Sequence, residues 1–232
     1  MSKILVVNGP NYGRAVEGLG EIVTDPEELI TNPGDIKLVL FTGGEDVTPA
    51  YYGHTSPNHY CMYNESRDQE EFEIFQLSQA IGIRSIGICR GSQFINVMAG
   101  GTMIHHMDNH AGPWHNMETL NGEIIRVTST HHQMSVVPDD SFLIGWSKEN
   151  LATRYYGDGD EKIGPPEKET EAALFPNIES AGVQYHPEVM SKETEGWKWF
   201  FNLAKDLIEI DKFYDVVEKY GGQVCMRQDT YQ

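Results

Sequence analysis

Ten residues, Arg84-Ser85-Ile86-Gly87-Ile88-Cys89-Arg90-Gly91-Ser92-Gln93, restrict the fold of this chain more than any other stretch. Ile86 to Ile88 is a short apolar run that reads as a buried strand. Ser92 to Ala99 reads as a helix carrying Phe94, Ile95, Val97 and Met98. Cys89 falls in the turn between them. A strand that passes directly into a helix crowds its own backbone, and Gly87 and Gly91 remove the side chains that would collide. Gly-x-Cys-x-Gly is thus the thiol counterpart of the Gly-x-Ser-x-Gly nucleophile turn. At a helix N-terminus the dipole favours thiolate over thiol, which would make Cys89 reactive. The same pentapeptide also fits a buried structural cysteine between two packing glycines.

Other elements alternate around this turn. Ile4 to Val7 reads as a first buried strand closed by Asn8-Gly9-Pro10, and Glu21 to Thr24 as a second. Asp25 as N-cap and Pro26 at the first helical position start a helix that Asn32-Pro33-Gly34 stops. Lys37 to Phe41 is the next strand and ends in Thr42-Gly43-Gly44. A polar and aromatic loop, Glu45 to Glu65, leads into a helix over Arg67 to Ala80 with Phe72, Phe75 and Leu77 offered to a core. Strands alternating with helices predict an α/β fold, a doubly wound and mostly parallel sheet with helices on both faces. Ligands on such sheets bind at the carboxyl ends of the strands, where Gly43-Gly44 and Cys89 both fall.

After Gly101 the pattern changes to shorter strands, Glu123 to Thr128, Leu143 to Trp146 and Ala172 to Phe175, read as a small antiparallel extension. Residues Tyr156 to Glu171 are charged, rich in Gly and Pro and nearly free of apolar side chains, the pattern of an exposed acidic insertion. Ala181 to Tyr185 is a further strand. A closing helix, Thr194 to Glu209, is followed by a tail, Gly221 to Gln232, read as frayed. The 232 residues are expected to form one domain.

Charge and cysteine use exclude some classes. With 17 Lys and Arg against 35 Asp and Glu, the net charge of −18 repels nucleic acid and anionic membrane surfaces. Cys61, Cys89 and Cys225 have no metal-like spacing and leave one unpaired in any disulfide scheme, which suits a reducing compartment. The apolar run after Met1-Ser2-Lys3 is too short for a signal peptide, and none approaches a membrane span, so a cytoplasmic location is expected.

A thiol nucleophile needs a base, and the base needs an orienting group. Among nine histidines, His186 is best placed: it follows a buried strand and should share a sheet edge with Cys89. Pro187 keeps His186 out of the helical region, and Glu188 lies within reach of its ring. The backbone N–H of Arg90 and that of Gly44 are candidate oxyanion donors. His131-His132-Gln133 follows a strand and fits either a polar pocket wall or a plain loop. His105, His106, His110 and His115 form a histidine-dense loop without the paired i, i+4 pattern of zinc proteases, so neither metal nor cofactor is expected.

Taken in order, Thr42-Gly43-Gly44-Glu45-Asp46-Val47-Thr48-Pro49 with Tyr52-Gly53, Arg67-Asp68, Gly87 to Gln93, Asn96-Val97, Gly100-Gly101-Thr102, His131-His132-Gln133 and Val183 to Glu188 resemble the class I glutamine amidotransferase-like superfamily. Within it the chain looks most like the γ-glutamyl-γ-aminobutyrate hydrolase branch, the γ-glutamyl hydrolase-like peptidases C26. The resemblance implies a Cys89-His186-Glu188 triad, oxyanion donors at Gly44 and Arg90, and substrate contacts from Gly43, Asp46, Gln93, His131, His132 and Gln133. It implies a thiol hydrolase acting on a small γ-glutamyl amide through a glutamyl thioester, without cofactor. Two departures are a short segment before Gly43-Gly44 and the acidic stretch at 156–171. Two other readings stay open: a glutaminase component that passes ammonia to a separate synthetase, and a non-catalytic binding module. Oligomerisation is open as well.

Overall fold

The computed structural model describes residues 2–55, 59–112 and 114–221. Its first half alternates as the apolar runs predict. Strand β1 (Lys3–Val7) is followed by a 3-10 segment, Pro10–Val16, then β2 (Glu21–Val23), α1 (Glu28–Thr31), β3 (Ile36–Phe41), α2 (Glu65–Ala80), β4 (Ser85–Ile88) and α3 (Arg90–Met98). The second half is strand-rich. It runs through β5 (Thr102–Ile104), β6 (His106–Met107), β7 (Trp114–Thr119), β8 (Ile124–Thr128), β9 (Met134–Val136) and β10 (Phe142–Ser147). The chain then continues through β11 (Tyr155–Tyr156), β12 (Lys162–Ile163), β13 (Thr170–Phe175) and β14 (Ser180–Val183). Helices α4 (Glu195–Glu209) and α5 (Phe213–Gly221) close it.

Among the described residues, nine strands form one sheet in the order β2-β1-β3-β4-β14-β13-β10-β7-β8. The pairs β2/β1, β1/β3, β3/β4 and β4/β14 are parallel. From β14 outward, through β13, β10, β7 and β8, every pair is antiparallel. The mostly parallel half and its antiparallel extension are therefore one continuous sheet.

Strands β1, β3 and β4 read as nearly unbroken apolar runs because both faces are covered. Ile4, Val6, Leu38, Leu40, Ile86 and Ile88 pack with Phe200, Leu203 and Leu207 of α4 and Val216 and Val217 of α5. Their alternates, Leu5, Val7, Val39 and Phe41, pack with Leu29 of α1, Ile74 and Phe75 of α2, and Phe94 and Ile95 of α3. This period-two division places the helices on opposite faces.

Three expectations are corrected. The helix starting at Asp25 is a single turn, Glu28–Thr31. Asp25 Oδ1 accepts from the Glu27 N–H at 3.0 Å, the kind of bond an N-cap makes, but the α-helical residues begin only at Glu28. Helix α2 buries Ile74 and Phe75 together with Asp68, Glu71 and Ser78, while Phe72 and Leu77 are only partly buried. The 156–171 stretch is exposed at 159–162 but not at its end, where Glu169 and Glu171 are fully buried. Thr170 and Glu171 are the first residues of β13, so they enter the core with that strand. Of the tail, only Gly221 is described, as the last residue of α5; Cys225 lies outside the described residues.

Candidate active site

Strands β4 and β14 lie side by side in parallel register, so whatever follows each emerges at the same sheet edge. After β4 comes Cys89, with φ 54° and ψ −114°, a conformation a non-glycine side chain rarely adopts. The turn is held by Cys89 N–H donating to Val183 O (2.8 Å) and Gln93 N–H donating to Cys89 O (3.1 Å). A Cβ at Gly87 would strike the backbone of Gly91 and Ser92, and one at Gly91 would strike Phe41 O. Both glycines are required by close backbone approach, as the sequence pattern anticipates.

After β14 comes His186, whose N–H donates to Thr128 Oγ1 at 2.8 Å. Pro187–Val189 forms one 3-10 turn that folds Glu188 back, and His186 Nδ1 donates to Glu188 Oε1 at 2.7 Å. That contact leaves Nε2 as the other working nitrogen of the ring. Burial opposes the charged form of His186, but hydrogen bonds and charge attraction from Cys89 and Glu188 outweigh it, pushing the pKa up to about 10. Cys61 contrasts with this: burial, with the charge of Asp46, pushes its thiol up to about 11 and disfavours thiolate.

The loop after β3 brings up the other side. Gly44 has φ +147°, and a Cβ there would collide with Arg67 Nη1. Arg67 clamps this loop from α2. Nη2 donates to Gly43 O (2.9 Å), Nη1 to Glu45 Oε2 (2.9 Å) and Nε to Glu71 Oε1 (2.9 Å). The Arg90 side chain is 2 % exposed and forms buried ion pairs with Asp68 and Glu71. Only its backbone is therefore offered to a ligand.

Gly44, Glu45, Asp46, Tyr60, Met62, Cys89, Arg90, Gln93 and residues 130–133 line one cavity of about 260 Å³. The structure thus gathers most of the residues singled out from sequence. Asp46 Oδ1 lies 3.2 Å from His132 Nε2, and Gln93 Nε2 donates to Gln133 O (3.3 Å) and Gln184 Oε1 (3.1 Å). His186 and Glu188 are not among the residues that line it, and two others behave otherwise. Gly43 packs beneath the cavity against Tyr12, and a Cβ there would strike the Tyr12 hydroxyl. His131 is in the wall, but its Nδ1 is 2.9 Å from Gln133 O and its Nε2 is 3.2 Å from His110 Nδ1. Both ring nitrogens therefore face groups inside the protein.

Sequence reasoning missed Tyr12. Its ring lies 6.1 Å from that of His186, and burial together with the charges of Glu188 and Cys89 pushes its pKa up to about 12. The signal was only Asn8-Gly9-Pro10, read as a strand-closing turn; the 3-10 segment after it carries Tyr12 back over the sheet edge. Thr128 and Glu71 were missed as well, since each acts by holding another site residue.

A doubly wound sheet with a cysteine turn facing a His-Pro-Glu turn is the arrangement of the class I glutamine amidotransferase-like superfamily. Within it, the chain belongs to the Peptidase C26 family, whose model matches residues 21–155. The match includes Cys89 and stops before His186. In sequence the chain is similar to a Mycobacterium tuberculosis protein named provisionally as a glutamine amidotransferase. That match is 34% identical over 91 residues, 38% of this chain and 29% of the relative. It is also similar to a glutamine amidotransferase-like protein of Rickettsia prowazekii, 39% identical over 75 residues, 32% of this chain and 26% of the relative. The chain thus matches less than a third of the length of either relative. In fold it is similar to a glutamine amidotransferase from Thermotoga maritima, with a TM-score of 0.55, 16% identity, and 99% and 89% of the two chains covered. It is also similar to the glutaminase domain of a Trypanosoma brucei CTPS solved with bound acivicin (TM-score 0.50, 11% identity, 94% of each chain). No helix among the described residues is long and apolar enough to cross a membrane.

Proposed function

We propose that the chain is a thiol hydrolase of γ-glutamyl amide bonds that works through a Cys89-His186-Glu188 triad and a glutamyl thioester. The observation that carries this reading is the convergence of two strand ends. The nucleophile turn after β4 meets an imidazole that Glu188 orients at 2.7 Å and that the Cys89 and Glu188 charges keep protonated up to about 10. The protonated imidazole holds the proton that the leaving nitrogen needs.

Cys89 Sγ attacks the γ-carbonyl carbon, and the N–H groups of Gly44 and Arg90 receive the developing oxyanion. As the C–N bond breaks, His186 gives its proton to the leaving nitrogen. Water then attacks the thioester; His186 takes its proton, glutamate leaves and Cys89 returns as thiolate. Glu188 holds the ring in one tautomer and balances its charge.

Glu45 and Asp46 line the cavity; Glu45 is paired with Arg67, and together with Asp68 and Glu71 it outnumbers the two cations Arg67 and Arg90, which leaves the wall net acidic. An acidic wall favours a substrate with an amine on its leaving side, and the net charge of −18 would draw cationic substrates at low salt. A second reading, a glutaminase component feeding ammonia to a separate synthetase, is supported by the fold likeness to the CTPS glutaminase domain. The test is to assay the purified chain on glutamine, γ-glutamyl-aminobutyrate and γ-glutamyl-putrescine at low and moderate salt. Hydrolysis of the amine conjugates by the chain alone is expected. Turnover of glutamine only, and only with a partner added, would favour the second reading.

A further inference from the structure

Beside the cavity the fold gathers a second polar cluster, which shares His131 with the cavity wall. His110 Nδ1 lies 3.2 Å from His131 Nε2 and 3.7 Å from Glu171 Oε1. His131 Nε2 is 3.7 Å, and His115 Nε2 2.9 Å, from the same carboxylate oxygen. These side chains are between 0% and 6% exposed. They come from three places: the loop before β7 and β7 itself, the loop after β8, and the start of β13.

The outer contacts fix where the hydrogens are. His110 Nε2 is 2.9 Å from Glu169 Oε2. Glu169 already accepts from the N–H groups of Leu151 and Ala152 and from the Tyr155 hydroxyl. It therefore accepts, and Nε2 carries the hydrogen. His131 Nδ1 faces Gln133 O at 2.9 Å, and a carbonyl only accepts, so Nδ1 carries the hydrogen there. Both nitrogens that face each other at 3.2 Å are then lone pairs in the neutral rings. Ser129 Oγ, 3.4 Å from His110 Nδ1, spends its hydrogen on His110 O at 2.6 Å. Both nitrogens of His115 and both oxygens of Glu171 are buried without a hydrogen-bond partner; the 2.9 Å approach between them is off the hydrogen-bond direction. Lone pairs and an unpartnered carboxylate turned toward one point call for a positive charge between them.

We propose that His110 Nδ1, His131 Nε2, His115 Nε2 and Glu171 Oε1 hold one zinc-type divalent cation in a closed, four-coordinate structural site. Zinc bonds of about 2.0–2.1 Å in tetrahedral array put neighbouring donor atoms roughly 3.4 Å apart. The observed separations of 2.9, 3.2, 3.7 and 3.7 Å bracket that spacing. His110, His115 and Glu171 each offer an atom within 4.8 Å of the others, and His131 supplies the fourth. Imidazole nitrogens with one carboxylate oxygen suit zinc better than magnesium or calcium. Glu169 on His110 and Gln133 O on His131 are the outer partners such ligands ordinarily have. Gln133 O also accepts from Gln93 Nε2, so the cation would brace the 130–133 loop that walls the cavity.

The other occupant with the right charge is a proton, making one of the rings an imidazolium, and the experiment separates the two. Full-length protein carrying Cys89→Ser, so that the thiol takes no metal, is stripped with chelator. It is then dialysed against Zn²⁺ or Co²⁺ and analysed by plasma mass spectrometry and visible absorption. One metal per chain and the intense visible bands of tetrahedral Co²⁺ are expected. Glu171→Gln and His115→Ala should each lose stoichiometric binding, and Glu169→Gln should weaken it about 10–100-fold. His54→Ala, in the other group of metal-capable side chains (His54, His105, Asp158), should leave the count at one. The Co²⁺ spectrum of the otherwise unaltered chain is the readout should a ligand variant fail to fold. Substoichiometric uptake without those bands would overturn the proposal in favour of the proton. Full binding retained by both folded ligand variants would overturn it as well.

Discussion

Gly44→Ala separates an oxyanion donor from an ordinary loop glycine. The backbone at Gly44 has φ +147°, and the added methyl would run into Arg67 Nη1. An alanine forced into such a conformation costs on the order of 1–3 kcal/mol. The loop would relieve that strain by turning its N–H away from the site. Removing one oxyanion donor costs roughly 2.7–4 kcal/mol, or about 10²–10³ in kcat. Arg67 complicates the reading, because it also braces the loop through Gly43 O, Glu45 and Glu71. The variants to compare are therefore Gly44→Ala, Arg67→Ala and the double variant, with kcat and KM measured on a γ-glutamyl anilide and folding followed by thermal melts. If the damage were only the clash with Arg67, truncating Arg67 would restore much of the lost rate. No such rescue is expected, but a fall in kcat of about 10²–10³ and a modest effect on KM. A folded Gly44→Ala protein within a few-fold of the original kcat would refute the assignment of Gly44.

Three further outcomes are expected. Substoichiometric iodoacetamide at pH 7 should label Cys89 before Cys61, whose thiol is held near pKa 11; peptide mapping that finds Cys61 labelled first would contradict this. His186→Ala should abolish turnover, while Glu188→Gln keeps measurable residual activity, because orienting a base matters less than supplying one; steady-state kinetics on folded proteins decide it. The alkaline limb of kcat/KM should fall with an apparent pKa near 10, as His186 loses the proton it must donate, facing Cys89, Glu188 and Tyr12. The sign for folding is the same. A histidine pKa raised above its unfolded value of about 6.5 contributes stability that is full below that value and lost as pH rises through about 10.

Residues whose neighbours along the chain explain them could be read from the sequence. Gly87, Cys89 and Gly91 form a local turn, and Pro187 with Glu188 is local to His186, so both halves of the candidate site were visible before any fold. The strands of the parallel half were visible because burial on both faces leaves continuous apolar runs. What escaped depends on pairings distant in sequence. The inner face of α2 is partly charged, since Asp68 and Glu71 neutralise Arg90 from the next helix, so its periodicity is weak. Glu169 and Glu171 look like solvated acids beside Pro165, Pro166 and Glu167, yet β13 carries them into contact with histidines some forty to sixty residues away. Tyr12 reaches His186 only because the segment after β1 curls back over the sheet edge.

Acid quench during turnover traps the transient acylation of Cys89 by the γ-glutamyl group on which the proposed reaction depends. The chain is mixed with excess γ-glutamyl anilide, quenched within milliseconds to seconds, digested at low pH and mapped by mass spectrometry. A glutamyl adduct confined to the peptide bearing Cys89 is expected, absent from Cys89→Ala, with a burst of released aniline matching its formation. Steady hydrolysis that persists in Cys89→Ala, or an adduct on any other residue, would contradict it.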